Sequence, residues 1–125
     1  MDAVTQLEAQ LAEAFHLMFD NFPEGVQLSH KSKRIVALNA AMGARGRTVG
    51  MICATHGPAE SHRGCLANQA LAEQRPRWRQ GETKPNGSKP IVYWIPVPGH
   101  SDYFLHFAVG SQIDYTIAQD SGSQG

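Results

Sequence analysis

Two neighbouring stretches, Lys89–Val97 and Tyr103–Ile113, constrain the fold of this chain more than any other feature. Both alternate as strands do, and both are apolar on each face. Ile91, Tyr93, Ile95 and Val97 oppose Val92 and Trp94; Leu105, Phe107 and Val109 oppose Phe104, His106 and Ala108. The segment Pro98-Gly99-His100-Ser101-Asp102 reads as the hairpin loop between them. A sheet with two apolar faces has to be covered twice. The rest of the chain must supply those covers, one from short middle helices and the other from an N-terminal helix or a partner.

Upstream segments fit that demand. Asp2 can cap a helix running to about Asn21, with Val4, Leu7, Leu11, Ala14 and Met18 as an apolar stripe that Phe15, Phe19 and Phe22 widen. Pro23 stops it. Gly25–His30 alternates apolar and polar residues, Lys31-Ser32 reads as a turn, and Lys33–Leu38 reads as the return strand. Asn39 is suited to cap a short helix over Asn39–Arg45. Cys65–Gln74 reads as a second helix with Ser61 as its cap, and Arg77–Gln80 as a short strand. Arg75, Arg77 and Arg79 then alternate onto one face. The order is helix, two strands, short helices, helix and three strands, which predicts one antiparallel sheet of five strands in an α+β domain. The expected divisions are an amphipathic helix over 1–22, a core over 23–117 and a tail over 118–125.

At 125 residues the chain is long enough for one domain with its own core. No apolar run approaches the length of a membrane span, and the N-terminus lacks a basic start followed by an apolar block. A cytoplasmic location is the resulting expectation. The zero net charge hides an asymmetry. All eleven Lys and Arg lie between Lys31 and Lys89, against three acids there, a surplus of eight. Flanks and middle then attract one another, within the chain or between subunits; the alternative is a basic surface for an anionic ligand. Nothing else resembles a nucleic-acid module. Hydrolase elbows, phosphate loops and paired carboxylates are absent, which argues against an enzyme.

Both cysteines and two of six histidines fall within Cys53-Ala-Thr-His56-Gly-Pro-Ala-Glu-Ser-His62-Arg-Gly-Cys65. Cys53, His56, His62 and Cys65 supply the donor types and the number that tetrahedral zinc takes, and Gly57-Pro58 can turn the chain between the two pairs. The other readings are a redox pair of Cys53 with Cys65, and two core or helix-face thiols beside solvated histidines.

The ordered elements, with several local motifs, resemble a PAS sensor domain over roughly residues 10–115. Phe22-Pro23-Glu24-Gly25-Val26 looks like the entry to the first PAS strand. Arg34-Ile35-Val36-Ala37-Leu38-Asn39-Ala40-Ala41 looks like the second strand running into an asparagine-led helix. Val49-Gly50 ahead of Cys53, and Ala70–Pro76 ahead of the third strand, are similar too. Cys53, His56-Gly57 and Cys65 resemble a PAS subset with a Cys, His-Gly, Cys-x2-Cys pattern, with His62 in place of the first paired cysteine. The resemblance implies a sensory module with a small-ligand pocket between the sheet and the short helices, lined by Leu38, Met42, Cys53, His56, Leu66, Trp94 and His106. It also implies a signalling partner, a homodimer formed through the N-terminal helix, and haem on His62 as a further cofactor reading beside zinc. The Asn-Cys-Arg type of flavin-adduct motif is absent around Cys53.

Overall fold

A computed structural model describes residues 2–52 and 65–115. Helix α1 spans Ala3–Phe19, and Asp2 caps it by accepting from the Thr5 backbone N–H at 2.7 Å. Strand β1 is Val26–His30 and β2 is Ile35–Leu38; α2 is Ala40–Gly43 and α3 is Ala67–Glu73. Strands β3 (Arg77–Gln80), β4 (Ile91–Val97) and β5 (His100–Val109) complete one five-stranded antiparallel sheet in the order β2-β1-β5-β4-β3. The first hairpin thus joins the meander through β1 and β5, which places the first and last strands side by side at the centre.

The covers fall on opposite faces as the apolar pattern requires. Phe15 of α1 joins Val26, Leu28, Val36, Ala37 and Tyr103 in one core cluster. Ala67 and Ala70 of α3 pack with Trp94 and Phe104 in another, on the far side of the sheet. The strand register explains the split. Trp94 pairs with His106 and His106 with Gln27, so these three share the helix face; Tyr93 and Phe107 share the α1 face with Val26. Glu8 fixes α1 on its face: it accepts from Arg34 at 3.0 and 2.6 Å and from the Tyr103 hydroxyl at 2.7 Å. The Arg34 hydrogen bonds hold its carboxyl below the usual range against the opposing effect of burial. Burial, then the same carboxylate, pushes Tyr103 up to about 12.

Several sequence expectations are corrected. The packed stripe of α1 is Leu7, Leu11, Ala12, Phe15 and Phe19. Val4 and Met18 are exposed instead, and so is Ala14. The cause is ring size: Phe15 and Phe19 sit one turn apart and their rings meet at 5.3 Å, so the helix rolls to bury them at four-residue steps from Leu7. The hairpin between β4 and β5 is tighter than the five-residue loop expected. Val97 pairs with His100, leaving only Pro98 and Gly99 between the strands, with Gly99 at φ 80°. β5 ends at Val109, where Gly110 turns the chain at φ 92°. α3 starts at Ala67 with no side-chain cap, and Ser61 lies outside the described residues. Arg75 precedes β3, so only Arg77 and Arg79 alternate along it. Residues 118–125 are likewise outside the described residues.

Candidate ligand site on the helix face of the sheet

β1 alternates, so with Val26 and Leu28 on the α1 face Gln27 and Ser29 must point the other way. That face is covered, so both polar side chains are buried, Gln27 at 1 % exposure and Ser29 at 0 %. A buried amide needs partners. Gln27 Nε2 donates to Ser29 Oγ at 3.0 Å, and Arg47 Nη1 donates to Gln27 Oε1 at 2.7 Å. The segment after α2 thereby brings a guanidinium onto the centre of the sheet.

β5 places His106 beside this pair, opposite Gln27 on one side and Trp94 on the other. Its ring stacks on Trp94 with centroids 5.1 Å apart and planes 22° from parallel. Its Nδ1 lies 3.0 Å from the Tyr93 carbonyl oxygen. A carbonyl only accepts, so the hydrogen of a neutral ring sits on Nδ1 and Nε2 is the acceptor. Burial drives the His106 pKa down to about 4, and the fields of Arg47, Arg45 and Arg79 act in the same direction; the bond to Tyr93 opposes them. Arg45 is itself lowered, first by burial and then by Arg47.

The depressed His106 value makes stability depend on pH. The native ring stays neutral while the unfolded ring, near 6.5, takes a proton. The contribution is therefore complete above about pH 6.5 and is lost as pH falls toward 4. Between pH 7.5 and 4.5 the loss should be roughly 2–3 kcal/mol. Urea midpoints of the unaltered chain and of His106→Phe measured across that range should diverge by this amount, the variant having the flatter profile. Parallel profiles would contradict the assignment.

The sequence-predicted pocket residues separate into groups. Trp94 and His106 are in direct contact, and Leu66 packs on the cluster that holds Trp94. Leu38 pairs with Gln27 at the β2 end of the same row. Met42 is buried elsewhere, at the entry to β1, where a Cβ on Gly25 would stand 3.0 Å from its Cα. Cys53 and His56 lie outside the described residues, as does His62 of the zinc and haem readings. Cys65 is exposed and free, and among the described residues no three His, Cys, Asp or Glu are grouped to hold a metal. Sequence reasoning missed Gln27, Ser29, Arg45 and Arg47. The signal for the first two was present: a strand in a sheet covered twice buries its polar residues as well as its apolar ones.

The opposite face carries an apolar groove of about 200 Å³. Ala14 and Met18 of α1 form one wall, Ile95–Pro98 the other, and Leu28 and Leu105 contribute as well. α1 packs on the β1–β2 half of that face, so Tyr93, Ile95 and Phe107 stay half-buried beyond it and Trp78 is 61 % exposed. Among the described residues no helix is long and apolar enough to cross a membrane.

No family model and no curated protein matches the chain. Solved structures do. The PAS domain of BvgS from Bordetella pertussis is similar with a TM-score of 0.60 and 20 % identity over 86 % of this chain and 90 % of that one. A sensory box sensor histidine kinase structure from Vibrio cholerae gives 0.57 and 16 %, over 85 % and 90 %. A domain of an HTR-like protein from Haloarcula marismortui gives 0.56 and 21 %, over 70 % and 96 %. At these identities the likeness is one of fold, and together with the five-stranded antiparallel sheet and its helices it shows that this chain has the PAS-like fold.

Proposed function

We propose that the chain is a non-enzymatic sensory module of signal transduction that binds a small ligand on the helix face of its sheet and passes the effect to α1. The observation that carries this reading is the buried polar row on that face. Gln27 and Ser29 are buried at the centre of the sheet, half-buried His106 stands beside them, and the Trp94 ring stacks on His106. An amide, a hydroxyl and an imidazole held together there can order a ligand as well as one another. The sensor histidine kinase context named for the Vibrio cholerae neighbour supports the same reading. A metabolite library screened by thermal shift, with the Trp94 indole N–H followed by NMR, tests it. Compounds that raise the melting temperature and move the Trp94 and His106 signals are the expected result. A library whose hits leave both signals in place would remove the site.

Transmission would run through α1, whose outer surface holds Leu17 at 88 % exposure and Met18 at 65 %. Two such side chains one after the other on a helix that already buries another face suit a second subunit. Deleting α1 would strip Phe15 from the core, so point changes are the better test of a homodimer. Leu17→Lys with Met18→Lys should convert a dimer to a monomer by light scattering while leaving the circular dichroism spectrum intact. An unaltered chain that is already monomeric, or a variant that stays dimeric, would exclude this interface.

A further inference from the structure

The two edges of the sheet are finished differently. β2 is closed by the chain itself: the Ile35 backbone N–H donates to the Met51 carbonyl, and the Ile35 carbonyl accepts from the Gly50 N–H, both at 2.8 Å. β3 stands at the other end and, among the described residues, pairs with β4 alone. One bond fixes the direction of its outer groups. The Gly81 N–H donates to the Pro90 carbonyl at 2.7 Å, and the register continues with Arg79 opposite Val92 and Arg77 opposite Trp94. Bonded and non-bonded pairs alternate in an antiparallel ladder. Arg77, Arg79 and Gly81 therefore turn their backbone groups toward β4, and Trp78 and Gln80 turn theirs outward. The Trp78 side chain is 61 % exposed, and Arg79 and Gln80 are exposed as well. Over residues 75–89 five basic residues, Arg75, Arg77, Arg79, Lys84 and Lys89, face one acid, Glu82.

An open edge is a pairing site, and its charge decides what pairs. A second copy is disfavoured. In a two-fold antiparallel pairing outward groups must meet outward groups, so Trp78 would face Trp78 or Gln80 of the other strand, which sets Arg79 against Arg77 or Arg79. Like charges directly opposite destabilise a ladder. We infer that the β3 edge instead takes an extended acidic segment of a partner protein as a further strand, its acids opposite Arg77 and Arg79 and an apolar residue beside Trp78. Arg77 is already bonded to Glu73, and Arg79 has contacts besides the Gln80 carbonyl. The preference for acids accordingly rests on the summed charge of the edge, and the affinity on the outward backbone groups and the indole. This surface is separate from the ligand site above and does not depend on it.

A short synthetic peptide alternating Glu with Val is the probe, and its Lys–Val counterpart the control. With the full chain, the Glu–Val peptide should slow hydrogen exchange at the Trp78 and Gln80 amides and leave those of Arg77 and Arg79, already turned to β4, unchanged. It should bind about tenfold more tightly than the Lys–Val peptide, and less tightly as salt is raised. Gln80→Pro removes an outward N–H and no bond to β4, so it should weaken the Glu–Val peptide about fivefold while exchange at Arg77 and Arg79 shows β3 still in place. Arg75→Glu with Lys89→Glu, both exposed, should bring the two peptides within about twofold of one another. Equal binding of the two peptides to the unaltered chain overturns the acidic assignment. No slowing at Trp78 under a large excess of peptide, or full affinity in Gln80→Pro, overturns the added strand. Slowing at Trp78 that grows with protein concentration alone would make a second copy the occupant, and an oligothymidine that moves the Trp78 indole signal where the peptide does not would make it single-stranded nucleic acid; either result counts against the proposal.

Discussion

Asn39→Ala should lower folding stability by about 3–5 kcal/mol, a large share of what a domain of this size possesses. The side chain is 1 % exposed and makes five hydrogen bonds. Its Oδ1 accepts from the backbone N–H groups of Val26 and Met42, both at 3.0 Å. Its Nδ2 lies 3.0 Å from the Phe19 and Glu24 carbonyl oxygens and 3.3 Å from that of Phe22. One amide thus closes the end of α1, the entry to β1 and the start of α2. Removing it strands two donors and takes the amide partner from the Phe22 and Glu24 carbonyls where little water reaches, while the Phe19 carbonyl keeps the Phe22 backbone N–H at 3.0 Å; each stranded group is worth about 1–3 kcal/mol if nothing relaxes. The total is smaller than the sum because the groups share one partner and can shift together. Asn39→Asp sharpens the test. It keeps the two accepted bonds but turns an acceptor toward three carbonyls, so at neutral pH it should cost nearly as much as alanine. Urea unfolding of both variants measures this, and a loss under about 1 kcal/mol in either would show that the three elements are held by packing instead.

Asn39 also illustrates how much of the molecule was legible before folding. As a helix cap it is plain from the sequence, since a short polar residue precedes an alanine-rich turn. Its reach back to Phe19, Phe22 and Glu24 is not, because those contacts exist only once α1 and β1 have been brought to the same corner. The element order and the double cover followed from the two-faced apolar pattern of β4 and β5, a signal strong enough to survive any local error. The face of α1 did not follow. A heptad count through Val4, Leu11 and Met18 gives equal weight to each apolar residue, whereas burial favours the largest, Phe15 and Phe19. The site was legible in part for the same kind of reason. Trp94 and His106 lie on adjacent strong strands and could be placed together by alternation, but the arrival of Arg47 at Gln27 depends on the path of a glycine-punctuated segment after α2. The pairing of the arginines with acids was also foreseen only in outline. Arg34 meets Glu8 across the flank–middle charge divide, whereas Arg77 meets Glu73 within the basic middle.

Glu24→Gln, although nearly isosteric, should cost about 2–4 kcal/mol at neutral pH. The carboxylate is fully buried and accepts from the backbone N–H groups of Gly110 at 2.8 Å, Gln112 at 2.7 Å and Ile113 at 3.3 Å. Burial alone would raise its pKa; these bonds, with the Tyr115 hydroxyl, outweigh that effect and hold it below the ordinary carboxylate value. The contribution is therefore present above about pH 4.5 and is lost as pH falls through the lower native value, so the gap between Glu24→Gln and the unaltered chain should close on acidification. Glutamine fails because it offers one oxygen where two are used and turns N–H groups toward N–H groups. The consequence extends beyond stability, since the three amides belong to the chain leaving β5. Gln112 in that segment accepts from the Gly25 backbone N–H and donates to the Ala41 carbonyl at 3.0 Å, tying the exit from the sheet both to the entry of β1 and to α2. Hydrogen exchange distinguishes two outcomes. Faster exchange at residues 110, 112 and 113 alone would make Glu24 a local clamp. Faster exchange that spreads to Val26 and Met42 would show that the segment after β5 and the α2 end of the helix face open as one unit.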